Sequence, residues 1–402
     1  VDGEIRVIAA GELDEFVETV HVSWGHHATD EDREDARRLY EPARCFAALV
    51  GGRIVGGTAT LSLELTVPGG GTLGAAGVTD AGVLPTHRRL GLFRELNALQ
   101  LEDAREHGEA VAVLTPSEGT IYGRFGYGVA AFSHDVEVAR SAAAFGDPTA
   151  VAGEVRLLGP EDCREVLPEV FDRDRPSRPG EVSRTAPYWE AFLRDHDGGS
   201  GRFVVAHEAP GGGVDGYAVY RVRPAWSANV PEFGLAVDEV VAVSPAVRAA
   251  LWRYLLDIDL VGTVTASNAP LDDPLRWLLA DPRAYRVTAM TDTLWLRVVD
   301  VEAALAARRY AAPGRLVIAV EDPFLPANTG RYLLDGGTVA RADAMSPDLS
   351  MRAADLGAAY LGGVRFSTLA RAGRVVEHTP GTVAVADAMF ATDPLPHCTT
   401  DV

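Results

Sequence analysis

At 402 residues, 47% of them hydrophobic and 23% charged, the chain is too long for a single hydrophobic core and too apolar to be disordered, so two or three globular domains are expected. Its 57 acidic residues against 37 basic ones give a formal net charge of −20, which disfavours nucleic acid or an anionic membrane as partner and favours cationic small molecules. Cys45, Cys163 and Cys398 are odd in number and far apart, which argues against a disulfide framework and for a reducing compartment. The opening VDGEIRVIAAGELDEF carries acids where a signal peptide needs a basic flank, and no run reaches membrane-spanning length; a cytoplasmic protein is expected.

Taken in chain order, IRVIAA reads as a strand and ELDEFVETVHVSW as a helix. CFAALVGGRIVGGTATLSLELTV reads as antiparallel strands turned at Gly51-Gly52. AAGVTDAGVLP follows as a strand, then a helix with Leu92, Leu96, Leu99 and Ala104 on one face, stopped by Gly108. AVAVL, Ala110 to Leu114, reads as a buried strand. Periodicity lapses around RSAAAFGDPTAVAGE. Beyond it, the hairpin FVVAHEAPGGGVDGYAVYRV and the strand and helix GLAVDEVVAVSPAVRAALWRYLLDID repeat the order of the first block, as in a degenerate duplication. From about Asp292 the composition changes again. The expected domains are 1–150, 151–290 and 291–402.

The chemistry centres on VLPTHRRLGLFREL, Val83 to Leu96, where an acidic chain concentrates positive charge at the mouth of a helix. Free N–H groups at a helix start attract an anion; Gly91 permits close backbone approach, and Arg88 and Arg89 add permanent charge. A surface loop with two solvated arginines is the plainer alternative. Neither a G-x-x-x-x-G-K-[ST] nor a G-x-G-x-x-G loop is present, Ser117 lacks the flanks of a nucleophile elbow, and His21, His26 and His27 have no zinc-type spacing, so no metal is expected. The Arg88-to-Gly91 spacing is similar to the pyrophosphate turn of GCN5-related N-acetyltransferases (GNATs).

A second segment, SEGTIYGRFGYGVA from Ser117 to Ala130, follows that turn in order. With LWLRVVDVEAALAARRY, AAYLGG, LARAGRV and the final DPLPHC, it extends a resemblance to the Eis (enhanced intracellular survival) family of aminoglycoside and lysine acetyltransferases over essentially the whole chain. The resemblance implies an α/β (α+β) protein: two tandem GNAT-like domains, the second degenerate with SPAVRAALW where the first has PTHRRLGLF, and a C-terminal sterol-carrier-like domain. It implies acetyl-CoA as cosubstrate. The pantetheine arm would meet backbone groups of Ala81, Gly82 and Val83; the pyrophosphate would lie against Arg88, Arg89, Leu90, Gly91, Leu92, Phe93 and Arg94; Ser117 and Glu118 would contact the acetyl-CoA from the next strand. Tyr122 falls at the general-acid position, and the α-carboxylate of Val402 at that of the base. Leu90 stands where the family has a third arginine, and Val402 where it has a terminal aromatic residue. A homohexamer is implied as well.

The implied chemistry is sound. An alkyl amine of pKa about 10.4 must lose a proton before attacking a thioester, and the departing thiolate must gain one. Arg124, two residues from Tyr122, would favour its phenolate if the segment were extended. Packing within an aromatic cluster with Phe125 and Tyr127 is the alternative role for Tyr122. HHATDEDREDARR, His26 to Arg38, offers five carboxylates to a polyamine or simply a solvated helix face, and Trp24 is placed at the acceptor pocket. The expected activity is acetyl transfer from acetyl-CoA to a primary amine of an aminoglycoside, polyamine or lysine, by direct attack. A non-catalytic acetyl-CoA sensor and a lipid-binding protein working through the last domain are the alternatives.

Overall fold

Strand β1 (Gly3–Val7) pairs antiparallel with β2 (Cys45–Val50), and the Gly51-Gly52 turn, both residues at positive φ, returns the chain as β3 (Arg53–Thr66). This is a computed structural model that describes residues 3–147, 153–194 and 201–402. The chain forms two units: one runs to Ala131 and includes Pro179–Ser183 and Leu294–Val402, and the other comprises Phe132–Arg178 and Arg184–Thr293. The expected 150/151 boundary lies outside the described residues.

In the first unit, α1 (Leu13–Trp24) buries Phe16, Val17 and Val20, and α2 (Asp30–Leu39) follows behind a Thr29 cap. β4 (Thr72–Val83) lies antiparallel to β3, and α3 (Leu92–Glu106) leads into β5 (Val111–Leu114), which runs parallel to β4. Leu92, Leu96 and Ala104 are buried as expected, whereas Leu99 is 36% exposed. Gln100 takes the inward position instead, its amide donating to Ala59 O at 2.9 Å and Thr60 Oγ1 at 2.8 Å. A glutamine satisfied by strand hydroxyls is invisible to a hydrophobic pattern. The fully buried Arg44 ties α3 to the strands through Asp103 and Glu109, at 2.8 and 2.7 Å.

Strand β6 (Gly128–Ala139) begins in the first unit and ends in the second. The second unit then contains β7 (Glu154–Leu157), α4 (Pro160–Asp174), α5 (Ala186–Leu193) and the β8–β9 hairpin (Arg202–Glu208, Val214–Arg223) with its Gly-rich turn. A short ribbon of β10 (Trp226–Ser227) and β11 (Val230–Pro231) precedes β12 (Phe233–Ala242), α6 (Pro245–Asp257), β13 (Val261–Pro270) and α7 (Leu275–Leu278). β12 and β13 are parallel around α6, repeating the strand, helix and strand arrangement of β4, α3 and β5. At the repeat's turn Ser244 Oγ caps α6 through Val247 N–H, with neither glycine nor a pair of arginines.

Strand β14 (Arg286–Val298) contains the expected 290/291 boundary, and its Trp295–Val298 end returns to the first unit antiparallel to β5. After α8 (Val301–Ala307) comes a five-stranded sheet, β15 (Arg315–Glu321), β16 (Gly330–Asp335), β17 (Thr338–Arg341), β18 (Leu349–Arg352) and β19 (Val375–Glu377), in the order β17-β16-β15-β18-β19. Helices α9 (Ala353–Tyr360), α10 (Phe366–Arg371) and α11 (Thr382–Phe390) complete it. One apolar core runs from Leu63, Val111 and Leu296 into Leu316, Leu356, Phe366 and Phe390 and includes Val402. The end of the chain thus reaches the first strands through a shared interior. No described helix is long and apolar enough to cross a membrane.

Candidate active site

β4 and β5 are paired from Ala75↔Val111 to Gly77↔Val113, but β4 continues to Val83. The strands therefore part beyond Gly77. Along the parting edge β4 carries a bulge: its pairing with β3 passes from Gly57↔Gly82 to Ala59↔Thr79, leaving Asp80 and Ala81 opposite one residue, with Asp80 at φ 46°. A cleft of about 690 Å³ opens here, lined by residues including Trp24, Asp80, Ala81, Arg88, Ser117, Glu118, Tyr122, Asp401 and Val402.

Gly82 is required by close packing, since a Cβ there would overlap Ser23 Oγ. In the loop beyond, the exposed Arg88 donates to Ser23 O at 2.9 Å and Val83 O at 3.3 Å, and so holds loop to strand. Arg89 is exposed and left-handed at φ 66°, a conformation that costs a non-glycine residue about 1–2 kcal/mol. Leu90 is also exposed, and Gly91, at φ 89°, caps α3. Leu92 is buried, Phe93 packs on Tyr122, and the exposed Arg94 lies over the Phe324 ring at 5.0 Å. A glycine with an open flank, an exposed arginine and a helix start together suit an anionic phosphate.

Tyr122 opens the 3-10 turn Tyr122–Phe125 and is 5% exposed at the cleft wall. Its ring meets Phe93 and Tyr127 edge-on. Burial, and secondarily the Glu118 carboxylate, push its phenol up to about 12, so it is protonated at neutral pH. Arg124 is not the expected phenolate partner. In a 3-10 turn residues two apart point to different sides, and Arg124 Nε donates to Ile121 O at 2.9 Å while its guanidinium lies over Phe125. The aromatic cluster and the cleft position hold together: Tyr122 is packed and also lines the cleft.

The last residues close the opposite wall. Thr115 N–H, just past β5, donates to the Val402 carboxyl oxygen at 3.2 Å, and Val402 N–H donates to Thr115 Oγ1 at 3.4 Å. The Val402 side chain is 9% exposed and packs above Gly77. Trp24, 46% exposed, ends α1 beside the rings of His21 and His26. Most of the neighbouring helical acids are occupied: Thr29 holds Asp32, Arg33 approaches Asp30, and Arg38 pairs with Glu34. Among the described residues no group of three or more His, Cys, Asp or Glu side chains is arranged to hold a metal ion.

Among the cleft residues that sequence reasoning did not single out, three bear on its chemistry. Thr115 makes two hydrogen bonds with Val402, and Asp401 precedes its carboxyl. Asp80 is hydrogen-bonded to Tyr40, and burial raises its carboxyl above the usual carboxylate range against the opposing pull of Tyr40 and His21. The available signal was a single acid among small and apolar residues in GVTDAGV.

A strand, glycine-bearing turn, helix and parallel strand, the strands parting at the turn's side, present in two copies of which the second lacks the glycine and the arginine pair, is the arrangement of an acetyltransferase of the GNAT type. Acetyltransferase (GNAT) domain families match residues 4–130 and 180–298, and the sterol carrier protein domain family matches 301–399. The chain is similar to an N-acetyltransferase of Streptomyces coelicolor, 42% identical over 353 residues covering 85% of this chain and 84% of the relative. It is 35% identical to N-acetyltransferase Eis of Mycobacterium tuberculosis over 356 residues, 85% and 84% of the two chains. The crystal structure of Eis1 from Mycobacterium abscessus is similar over 100% of both chains, with a TM-score of 0.89 at 37% identity. The chain belongs to the Eis family of N-acetyltransferases and is an enzyme of that class.

Proposed function

We propose that this enzyme transfers the acetyl group of acetyl-CoA to a primary amine of a cationic acceptor: an aminoglycoside, a polyamine or a lysine side chain. Acetyltransferases of this fold use acetyl-CoA. The observation that carries the reading is the single cleft that brings Tyr122 and the Val402 carboxyl, 280 positions apart in sequence, to the parted ends of β4 and β5. The backbone of Ala81, Gly82 and Val83 takes the pantetheine arm, and the turn from Arg88 to Arg94 takes the pyrophosphate. Arg88 shapes the loop, Arg89 offers an exposed charge, and the Leu92 and Phe93 backbone belongs to the helix start. Ser117 and Glu118 border the thioester.

On the acceptor side, Trp24, Asp80 and Asp401 face a cationic amine. The Val402 carboxylate orients that amine and takes its proton, directly or through a water, because a carboxylate of ordinary pKa about 3.3–3.7 is a weak base toward an ammonium. The nitrogen–carbon bond forms as the carbon–sulfur bond breaks, and Tyr122 gives its phenolic proton to the leaving sulfur. Attack is direct. Cys398, the cysteine on the tail, is buried and directed to Thr400 O at 3.2 Å.

Modules at 1–150, 151–290 and 291–402, the second lacking a coenzyme turn, a cytoplasmic setting and a homohexamer belong to the same reading; the family matches support the three modules. A sensor would not require Tyr122 and a carboxyl at one cleft. A lipid carrier would require an open interior in the last module, whereas Leu316, Ile318, Leu334, Leu356, Phe366 and Phe390 fill it. Thiol release from acetyl-CoA, measured with aminoglycosides, polyamines and lysine peptides, tests the function. Coenzyme binding without turnover on any of them would favour the sensor, and light scattering that reports a monomer at micromolar concentration would refute the hexamer.

A further inference from the structure

The five-residue strap Pro179–Ser183 belongs to the first unit although residues on both its sides belong to the second. It lies against the end of β3: Gly180 N–H donates to Thr66 O at 2.9 Å, Thr66 N–H to Glu181 O at 2.8 Å, and Ser183 N–H to Glu64 O at 2.9 Å. Its other edge meets the tail, with His397 N–H donating to Pro179 O at 2.9 Å. Gly180, at φ 96°, allows this approach, because a Cβ there would come to 3.0 Å from His397 O.

Between those two edges stands the Glu181 side chain, 5% exposed. Its Oε2 accepts from both Thr399 N–H and Thr399 Oγ1 at 2.9 Å. Its Oε1 accepts from Thr400 Oγ1 at 3.0 Å and faces Cys398 Sγ at 3.7 Å. One carboxylate thus collects three donors from two consecutive residues. Two residues beyond the last of them, the Val402 carboxyl is fixed by Thr115. Two extended residues span at most about 7 Å, so a clamp at Thr400 confines the carboxyl to the cleft mouth.

We propose that Glu181 is a positioning residue for the acetyl transfer, acting through the 398–402 tail to hold the Val402 carboxyl and Asp401 in the acceptor side of the cleft. The proposal rests on the reading that the Val402 carboxylate handles the amine proton. Glu181 touches neither reactant. Its carboxylate is matched to its task because an acceptor-only group can serve a backbone N–H and two hydroxyls at once, whereas an amide would turn an N–H₂ toward one of those donors.

The test compares wild type, Glu181→Ala, a protein extended by Gly-Ser after Val402, and the combination. Turnover with an aminoglycoside acceptor and the KM for acetyl-CoA are measured in each. Carboxypeptidase release of Val402, followed by mass spectrometry, reports the tail independently of activity. Glu181→Ala should lower kcat about a hundredfold, the effect of misplacing a reacting group by about an ångström, and leave the coenzyme KM unchanged. Val402 should be released at least about tenfold faster, as expected on losing hydrogen bonds to a charged group. In the extended protein the same substitution should cause no further loss of kcat, since both changes disable one carboxyl.

Multiplying losses, or a tail released no faster than in wild type, would overturn the positioning role. If the extension alone leaves turnover unchanged, the carboxylate reading fails, and with it the catalytic part of this proposal, while the release rate still reports whether Glu181 holds the tail. Should Glu181→Ala fail to fold, Thr400→Val removes one donor from the tail side and should shift release and kcat in the same directions by less.

Discussion

Replacing Tyr122 by phenylalanine removes one hydroxyl from the cleft wall and keeps the ring that packs on Phe93 and Tyr127. Burial and Glu118 set its phenol at about 12, whereas a coenzyme thiol resembling cysteine has a pKa near ~8.5. The difference, about 12 minus ~8.5, is roughly 3.5 units or on the order of 5 kcal/mol against complete proton transfer even to the fully formed thiolate, and more before the carbon–sulfur bond breaks. The proton must therefore move as negative charge grows on sulfur, and the hydroxyl matters most in the transition state. Tyr122→Phe should consequently lower kcat by about 10²–10⁴-fold and leave acetyl-CoA affinity near wild type. The pH profile adds a sign. The protonated phenol is the active form, so in wild type no alkaline loss attributable to Tyr122 should appear until pH approaches about 12, above the range of an ordinary phenol. Stopped assays of thiol release, with coenzyme binding measured by calorimetry, decide the matter. A variant with wild-type kcat would make Tyr122 a packing residue and assign the proton to a water.

Arg89→Ala should raise the acetyl-CoA KM about ten- to hundredfold with little change in kcat, since one charge-assisted contact is worth about 1.5–3 kcal/mol in ground and transition states alike; unchanged calorimetric affinity would refute the loop assignment. Asp80→Asn should weaken acceptor binding yet raise the thermal midpoint at neutral pH. Its folded pKa lies above the unfolded value, so its stability contribution is complete below the ordinary carboxylate range and is lost as pH rises through the raised pKa. A quaternary ammonium competitor, whose own charge does not titrate, should therefore bind wild type more weakly on acidification, from a higher pH than an ordinary carboxylate would dictate, and this dependence should vanish in Asp80→Asn. Arg44→Met should destabilise the first unit by about 3–5 kcal/mol, because Asp103 and Glu109 lose the cation that compensates their burial; denaturant titration measures it, and a shift below 1 kcal/mol would mean that water reaches the pair.

The parts of the site that lie within one continuous segment were legible in the sequence. The strand, arginine turn and helix from Ala81 to Arg94 could be read because turn chemistry and periodicity are local signals, whereas Tyr122 stood out only through the family resemblance of its segment. The geometry of individual side chains was less accessible. Arg88 and Arg89 are adjacent, chemically equivalent and both exposed, yet the first is tethered to Ser23 O and Val83 O while the second takes a left-handed backbone. Arg124 depended on whether its segment was extended, and Gly123 and Gly126 fit a tight turn equally well. Asp80 became visible only when the β3 register showed the bulge that turns it into the cleft, a relation between strands about 20 residues apart. Glu181 was furthest out of reach, since its partners lie more than 200 positions away and nothing in PGEVSR marks the acid as buried.

That last relation bears on one of the two positions, Leu90 being the other, at which the resemblance implies a departure: valine where a terminal aromatic is expected. An aromatic ring can anchor a tail by its own burial, worth several kilocalories per mole when complete, and valine offers less apolar surface. The structure compensates at three points along the same five residues. Gly77 leaves space that the valine shares with Leu63, for a Cβ there would come to 2.5 Å from Leu63 Cδ1 and 3.0 Å from Val402 Cγ1. Thr115 engages the carbonyl and amide ends of the residue, and Glu181 fixes Thr399 and Thr400. Anchoring by hydrogen bonds is more directional than anchoring by area, because each bond specifies an angle as well as a distance. A small terminal side chain held this way leaves the carboxyl less freedom to rotate than its size alone would imply, and leaves the adjoining cleft open for an acceptor of considerable bulk.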